Sequence, residues 1–191
     1  MILPIVAYGN KILRDVCSDI NEDYMQLDEL INNMWETMNN ANGCGLAAPQ
    51  VGKSISLFIV DSETTFQNMD DEVRETFFEK DDMGIKEVFI NARIISSSKE
   101  VWNDDEGCLS IPGLSQPVPR PWAITIEYCD RNFTKQKRTF YGATARMVQH
   151  EYDHTNGVLY FDYLKPLTKK LIAGKLNRIA KGDWVAKYPM I

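Results

Sequence analysis

A chain of 191 residues, 44% hydrophobic and 25% charged, can bury a core without staples. It has no apolar run near the roughly 18 residues of a membrane span, and its first residues lack the basic-then-apolar order of an export signal. Four cysteines without a Cys-x-x-Cys pair argue against a disulfide framework, so one cytoplasmic domain over residues 1–191 is expected. The net charge of −6 is uneven. Residues 165–191 carry seven Lys or Arg against a single acid, Asp183, on an otherwise acidic chain. Two readings of that basic end stand open: contact with a polyanion such as ribosomal RNA, or a solvated helix face with lysines where the dipole favours them.

Residues 23–41 place Leu27, Leu30, Ile31, Met34, Trp35 and Met38 at helical spacing, an amphipathic helix that Asn42-Gly43 should terminate. Short runs with strand character follow at 55–61, 87–95, 123–129 and 137–141. Between the first two, residues 62–83 are acid-rich and weakly periodic, which predicts a surface excursion with one helical turn near 73–78. Four prolines in 111–121 predict an extended or turn-rich loop there. Residues 144–156 form a second helix with Gly157 as its stop. A last helix is expected from Thr168 as N-cap, with Leu167 and Ile172 as a hydrophobic staple. Its apolar face would be Leu171, Ile172, Leu176 and Ile179, with Gly182 ending it. Residues 183–191 would add an edge strand or drape over the surface. Strands segregated from helices in this order give an α+β class.

The only two histidines, His150 and His154, lie four residues apart with Glu151 directly after the first. On a helix, positions i and i+4 share a face, so both imidazoles can reach one metal ion while the glutamate carries a proton for a bound water. With no histidine left, a third ligand must be Cys, Asp or Glu, and Cys108 in Glu106-Gly107-Cys108-Leu109-Ser110 is the best candidate. One thiolate and two imidazoles suit Zn2+, Fe2+, Co2+ or Ni2+ without choosing among them. Gly43-Cys44-Gly45-Leu46-Ala47-Ala48-Pro49-Gln50 would let backbone lie along a ligand, with the Gln50 amide as an oxyanion donor. Cys17 and Cys129 read as small buried hydrophobes.

In order and spacing, Gly43–Gln50, Glu106–Ser110 and Gln149–His154 resemble the three signature motifs of the peptide deformylases. Ile2–Arg14 and Val118-Pro119-Arg120 are similar as well. The resemblance implies an α+β domain with antiparallel or mixed sheets around a central metal-binding helix, followed by a C-terminal helix. It implies removal of the N-formyl group from the formyl-methionine of newly made polypeptides, with release of formate. One divalent ion, natively Fe2+, would be held by Cys108, His150 and His154; Glu151 would move the proton, and Gln50 and the N–H of Leu109 would hold the oxyanion. Substrate contacts would fall at Cys44, Gly45, Leu46, Glu106, Gly107, Ala143, Arg146 and Met147. Methionine's side chain would enter a pocket bordered by Cys44, the strand before Cys108, and Ala143 and Met147 of the histidine helix.

Some neighbours carry two readings each. Glu106 and Arg120 form either an ion pair that positions the cysteine loop or an exposed pair of little consequence. Asp153 either orients a ligand or solvates the helix, and Arg146 either flanks the pocket mouth or faces solvent. Cys44 stands where the family usually has an aliphatic residue, and Thr155 replaces a common leucine. A bacterial cytoplasmic monomer is expected, meeting nascent formyl-Met peptides and the ribosome near its exit tunnel through the basic helix, with no membrane contact. Two alternatives share the residues: a His-Glu-x-x-His metallopeptidase, and a non-catalytic metal-binding module associated with the ribosome.

Overall fold

The computed structural model describes all residues, Met1–Ile191. In chain order the elements are α1 (Leu27–Asn40), β1 (Gly45–Ala47), β2 (Leu57–Asp61), α2 (Ser62–Asn68), α3 (Asp71–Phe77), β3 (Lys86–Ser97), β4 (Val101–Cys108), β5 (Ile111–Pro121), β6 (Ala123–Cys129), β7 (Lys135–Tyr141), α4 (Gly142–Thr155) and α5 (Pro166–Ala180). A five-stranded sheet in the order β1-β2-β3-β6-β7 and a two-stranded ribbon of β4 and β5 are antiparallel throughout. The result is the α+β architecture expected from the order of the elements.

The sheet is covered on both faces, which explains the unbroken apolar run Leu57-Phe58-Ile59-Val60. Successive side chains alternate across a strand. Leu57 and Ile59 pack with Leu30, Ile31, Met34 and Met38 of α1. Phe58 and Val60 pack with Phe89, Ile126, Phe140 and the Ala145 and Val148 side chains of α4. Each such burial contributes roughly 1.5–3 kcal/mol, so α4 is clamped against the sheet along one stripe. Its other side is free to present chemistry. A third apolar cluster joins Ile111, Leu114 and Val118 of β5 to Ile172, Leu176 and Ile179 of α5.

Four expectations change. The proline-rich stretch is a full strand, because a two-stranded ribbon has only edges. Pro117, Pro119 and Pro121 alternate along β5 opposite Asp105, Asn103 and Val101, so their missing N–H groups all fall on the side turned away from β4. Residues 62–77 form two helices rather than a loose excursion; Ser62 and Phe78 are buried. The segment docks on the start of α4 at Gly142, where φ is +50° and any Cβ would strike the carbonyl of Phe77. The last helix starts earlier, with Pro166 in its first turn and no side-chain cap at Lys165. Leu167 and Leu171 are 71% and 77% exposed, so the staple at Leu167 does not form and Leu171 leaves the apolar face. Cys17 and Cys129 are only half-buried, and all four cysteines are free.

The tail after α5 drapes rather than pairing as a strand. It makes one parallel bridge, Ile5 to Met190, with Trp184, Ala186, Tyr188 and Met190 turned toward the protein. No helix is long and apolar enough to cross a membrane.

Candidate metal centre and cleft

Three elements deliver the chemistry. The α4 helix sets His150 and His154 one turn apart, their rings 5.1 Å between centroids. The ribbon delivers Cys108 through a register shift between Gly107 and Cys108, where Gly107 faces Ser115 but Cys108 faces Ile111. Such a bulge re-aims a side chain out of the regular pleat. Cys108 Sγ then lies 3.3 Å from His154 Nε2, and the donor atoms of Cys108, His150 and His154 all fall within 4.8 Å of one another. The short turn after β1 brings Gln50, whose Oε1 accepts from the Ala47 N–H at 2.9 Å. That bond turns Nε2 toward Cys108 Sγ at 3.5 Å and Ser110 Oγ at 3.3 Å.

Glu151 is buried beside this cluster, and its Oε2 has no hydrogen-bond partner. Burial is the main cause that pushes its carboxyl up to about 7; the nearby His150 charge works against the rise. Its Oε1 packs on Gly45, where an added Cβ would sit 2.5 Å away. Glycine at this position is therefore a packing requirement of the carboxylate.

Behind the histidines lies a buried ionic network. Glu106 takes Arg120 in a two-point pair, 2.9 Å from both Nε and Nη2. It also accepts from Arg146 Nη1 at 2.6 Å and meets His150 Nδ1 at 2.9 Å. Arg120 Nη1 reaches Asp153 at 2.5 Å, and Tyr163 donates its hydroxyl to Asp153 at 3.1 Å. Burial would raise the Glu106 carboxyl, but Arg120 and His150 outweigh it and hold the group well below the usual carboxylate range. Of the two readings for Glu106–Arg120, the exposed pair is excluded, since both side chains are buried. Asp153 touches neither histidine and instead steadies Arg120. Arg146 is buried, donating to the carbonyls of Trp102 and Val118 and stacked over the Trp102 ring at 4.1 Å.

The centre opens into a cleft of about 940 Å³. Cys44, Gly45, Gln50, Glu106, Gly107, Cys108, Leu109, Ala143, Arg146, Met147, His150 and Glu151 all line it. Leu46 does not, since its side chain belongs to the core with α1. His154 lies behind the lining, 1% exposed. Glu106 lines the cleft, yet its carboxylate is committed to Arg120, Arg146 and His150 rather than left free for a ligand. Sequence reasoning missed Thr65, Met69 and Phe77 from the acidic segment and Tyr188 from the tail, which also line the cleft. The aromatic and Met residues in 62–83 were a usable signal. Tyr188 had only the period-two pattern of the tail.

A thiolate and two imidazoles within one small sphere fit a borderline divalent ion such as Zn2+ or Fe2+, and the unpaired buried Glu151 oxygen beside them is what a water-activating centre needs. Fold and site together define a metal-dependent hydrolase. The family model for polypeptide deformylase matches residues 2–170. The peptide deformylases of Christiangramia forsetii and Flavobacterium johnsoniae are each 48% identical over 190 residues, covering 100% of this chain and 95% of theirs. The crystal structure of a peptide deformylase from Legionella pneumophila superposes with a TM-score of 0.78 at 32% identity, covering 95% of this chain and 96% of that one. The chain belongs to the polypeptide deformylase family, and its activity is removal of the N-formyl group from nascent peptides.

Proposed function

We propose that Cys108, His150 and His154 hold one divalent ion, Fe2+ in the cell and replaceable by Zn2+, Ni2+ or Co2+, and that Glu151, Gln50 and Leu109 act on the formyl amide beside it. When bound, such an ion supplies Lewis acidity toward water and toward the formyl oxygen. Glu151 takes a proton from the attacking water and passes it to the departing amine nitrogen, so that water and formamide become formate and a free amino terminus. Gln50 Nε2 and the N–H of Leu109 donate to the oxygen that gathers charge as the carbonyl carbon becomes tetrahedral. Glu106 accepts a hydrogen bond from the Nδ1–H of His150, which fixes the tautomer and leaves Nε2 for the metal. Methionine's side chain sits among Cys44, Ala143, Arg146 and Met147, while backbone at 43–46 and 107–114 pairs with the extended peptide. The observation that carries this reading is an unpaired, buried Glu151 oxygen beside three convergent donor atoms at the cleft floor, Cys108 and His150 lining it and His154 directly behind.

Protein prepared without oxygen is expected to release formate from formyl-Met-Ala-Ser, to contain one metal ion per chain, and to lose turnover on chelation. Cleavage of the Met-Ala bond without formate would move the reading to a metallopeptidase. Retained metal with no turnover of any formyl peptide would move it to a non-catalytic module.

Residues 1–191 are read as one domain of a cytoplasmic monomer whose basic end meets the ribosome. Lys165, just before α5, and Lys170 with the exposed Leu167 and Leu171 on α5 support this surface. Deleting α5 would be a poor test, since Ile172, Leu176 and Ile179 close the core over β5. Charge reversal at Lys165 and Lys170 is instead expected to abolish co-sedimentation with ribosomes at low salt while formate release stays unchanged. Undiminished co-sedimentation would remove the proposal.

A further inference from the structure

The segment that carries Leu109 is pinned from outside the three motifs. Ser110 gives its carbonyl to the Tyr8 N–H at 2.8 Å, and Gln50 gives its carbonyl to the Val6 N–H at 2.8 Å. The extended residues 5–8 therefore stitch together the backbones of Gln50 and Ser110. That strip is in turn held by the C-terminal tail, because Ile5 N–H donates to Pro189 at 2.9 Å, Ile191 N–H to Ile5 at 2.9 Å and Ala7 N–H to Ile191 at 2.7 Å. One residue before this ladder stands Tyr188, half-buried at the cleft wall, whose hydroxyl donates to the Leu109 carbonyl at 2.8 Å.

We propose that Tyr188 is a positioning residue for deformylation: by holding the Leu109 carbonyl it keeps the Leu109 N–H aimed at the developing oxyanion, and the C-terminal tail thereby completes the active site. The inference rests on Leu109 acting as an oxyanion donor, as read above. The peptide plane carrying that N–H lies between two tethers. On one side Cys108 is tied through its sulfur to the histidine cluster. On the other, the Leu109–Ser110 plane is tied by the Tyr188 hydroxyl, and the plane after it, Ser110–Ile111, by the Ser110 carbonyl's bond to Tyr8. Removing the hydroxyl frees the second plane to rotate, and the N–H of the first swings with it. Such a donor acts chiefly in the transition state, so its misalignment lowers kcat without weakening ground-state binding. The aromatic ring, which lines the cleft, is a separate contribution.

Tyr188→Phe deletes the hydroxyl alone, and Tyr188→Ala deletes the ring as well. In the metal-loaded full-length enzyme, Tyr188→Phe is expected to lower kcat for formyl-Met-Ala-Ser by about 5- to 20-fold, a fraction of the 10²–10³ lost with an entire oxyanion donor. KM, inhibition by the product Met-Ala-Ser and the metal content should stay within twofold, and the melting temperature within about 3 °C. Tyr188→Ala should show at least the same fall in kcat together with a raised KM. A kcat within twofold of wild type in Tyr188→Phe would overturn the proposal. So would a loss matched by weaker product binding and a lower melting temperature, which is what general loosening of the tail produces. Wild-type protein that releases no formate would instead remove the underlying functional reading, before any variant is compared.

Discussion

Glu151→Gln is expected to lower kcat/KM for formyl-Met peptides by about 10²–10⁴-fold, the span of a positioned proton carrier, while the protein still binds one metal ion per chain. The ligands Cys108, His150 and His154 are untouched by this change, and the amide has nearly the volume of the carboxylate it replaces. The same substitution should raise stability. A buried carboxylate oxygen without a partner is unfavourable in the folded state, and replacing the charge with a neutral amide relieves roughly 1–3 kcal/mol of that burden. Formate release, metal analysis and thermal denaturation of the metal-stripped protein test both halves. Activity within tenfold of wild type would assign the proton transfer elsewhere. A lower melting temperature would mean that Glu151 has a partner in solution and is held for structural reasons.

The second large effect is expected at Arg120, which never meets the substrate. It is 2% exposed and is the cation shared by Glu106 and Asp153. Arg120→Met leaves both acids buried, Asp153 without its cation and Glu106 with only Arg146 and His150, a change that typically destabilises by about 3–5 kcal/mol. For a chain of this length that is a fall in melting temperature of roughly 6–20 °C. Glu106 would also lose the clamp that keeps it against His150 Nδ1, so metal affinity should drop about 10- to 100-fold. Arg131 provides the contrast, since it pairs with Asp28 on the surface and Arg131→Met should change stability by less than about 1 kcal/mol. Calorimetry with metal titration of the two variants decides the matter. Equal, small changes would show that the network is dispensable.

Part of this molecule is legible in local sequence. The i, i+4 spacing of His150 and His154 places both on one face of α4 whatever surrounds it, and the alternating or continuous apolar runs locate β2, β3, β6 and β7 within a few residues. The proline-rich β5 escaped because proline is judged by the strand it would have to sit in. An isolated ribbon tolerates residues that an interior strand rejects. The capping pattern at Thr168 failed for a related reason: Pro166 can open a helix earlier, and the core took Ile172 while leaving Leu167 in water. Residues 62–83 looked like a surface excursion because their acids dominate, yet the bare backbone of Gly142 gave them a dock.

Chain order and residue chemistry thus set the ligand types, their helical spacing, the family resemblance and the α+β class, since each is written in short local patterns and in their order along the chain. Convergence was decided by packing across the chain. The bulge that aims Cys108 needs β5 as its partner, and the Glu106 carboxylate turns from a supposed substrate contact into the support of His150 only when Arg120 and Arg146 arrive from other elements. Arg146, ambiguous as a lone basic residue, is buried because the backbone carbonyls of Trp102, Asp104 and Val118 and the Trp102 ring receive it. Tyr188, marked in the sequence only by the period-two pattern of the tail, reaches Leu109 because the tail bonds to residues 5–7 at the opposite end of the chain. Contacts between segments so far apart leave no local periodicity to read.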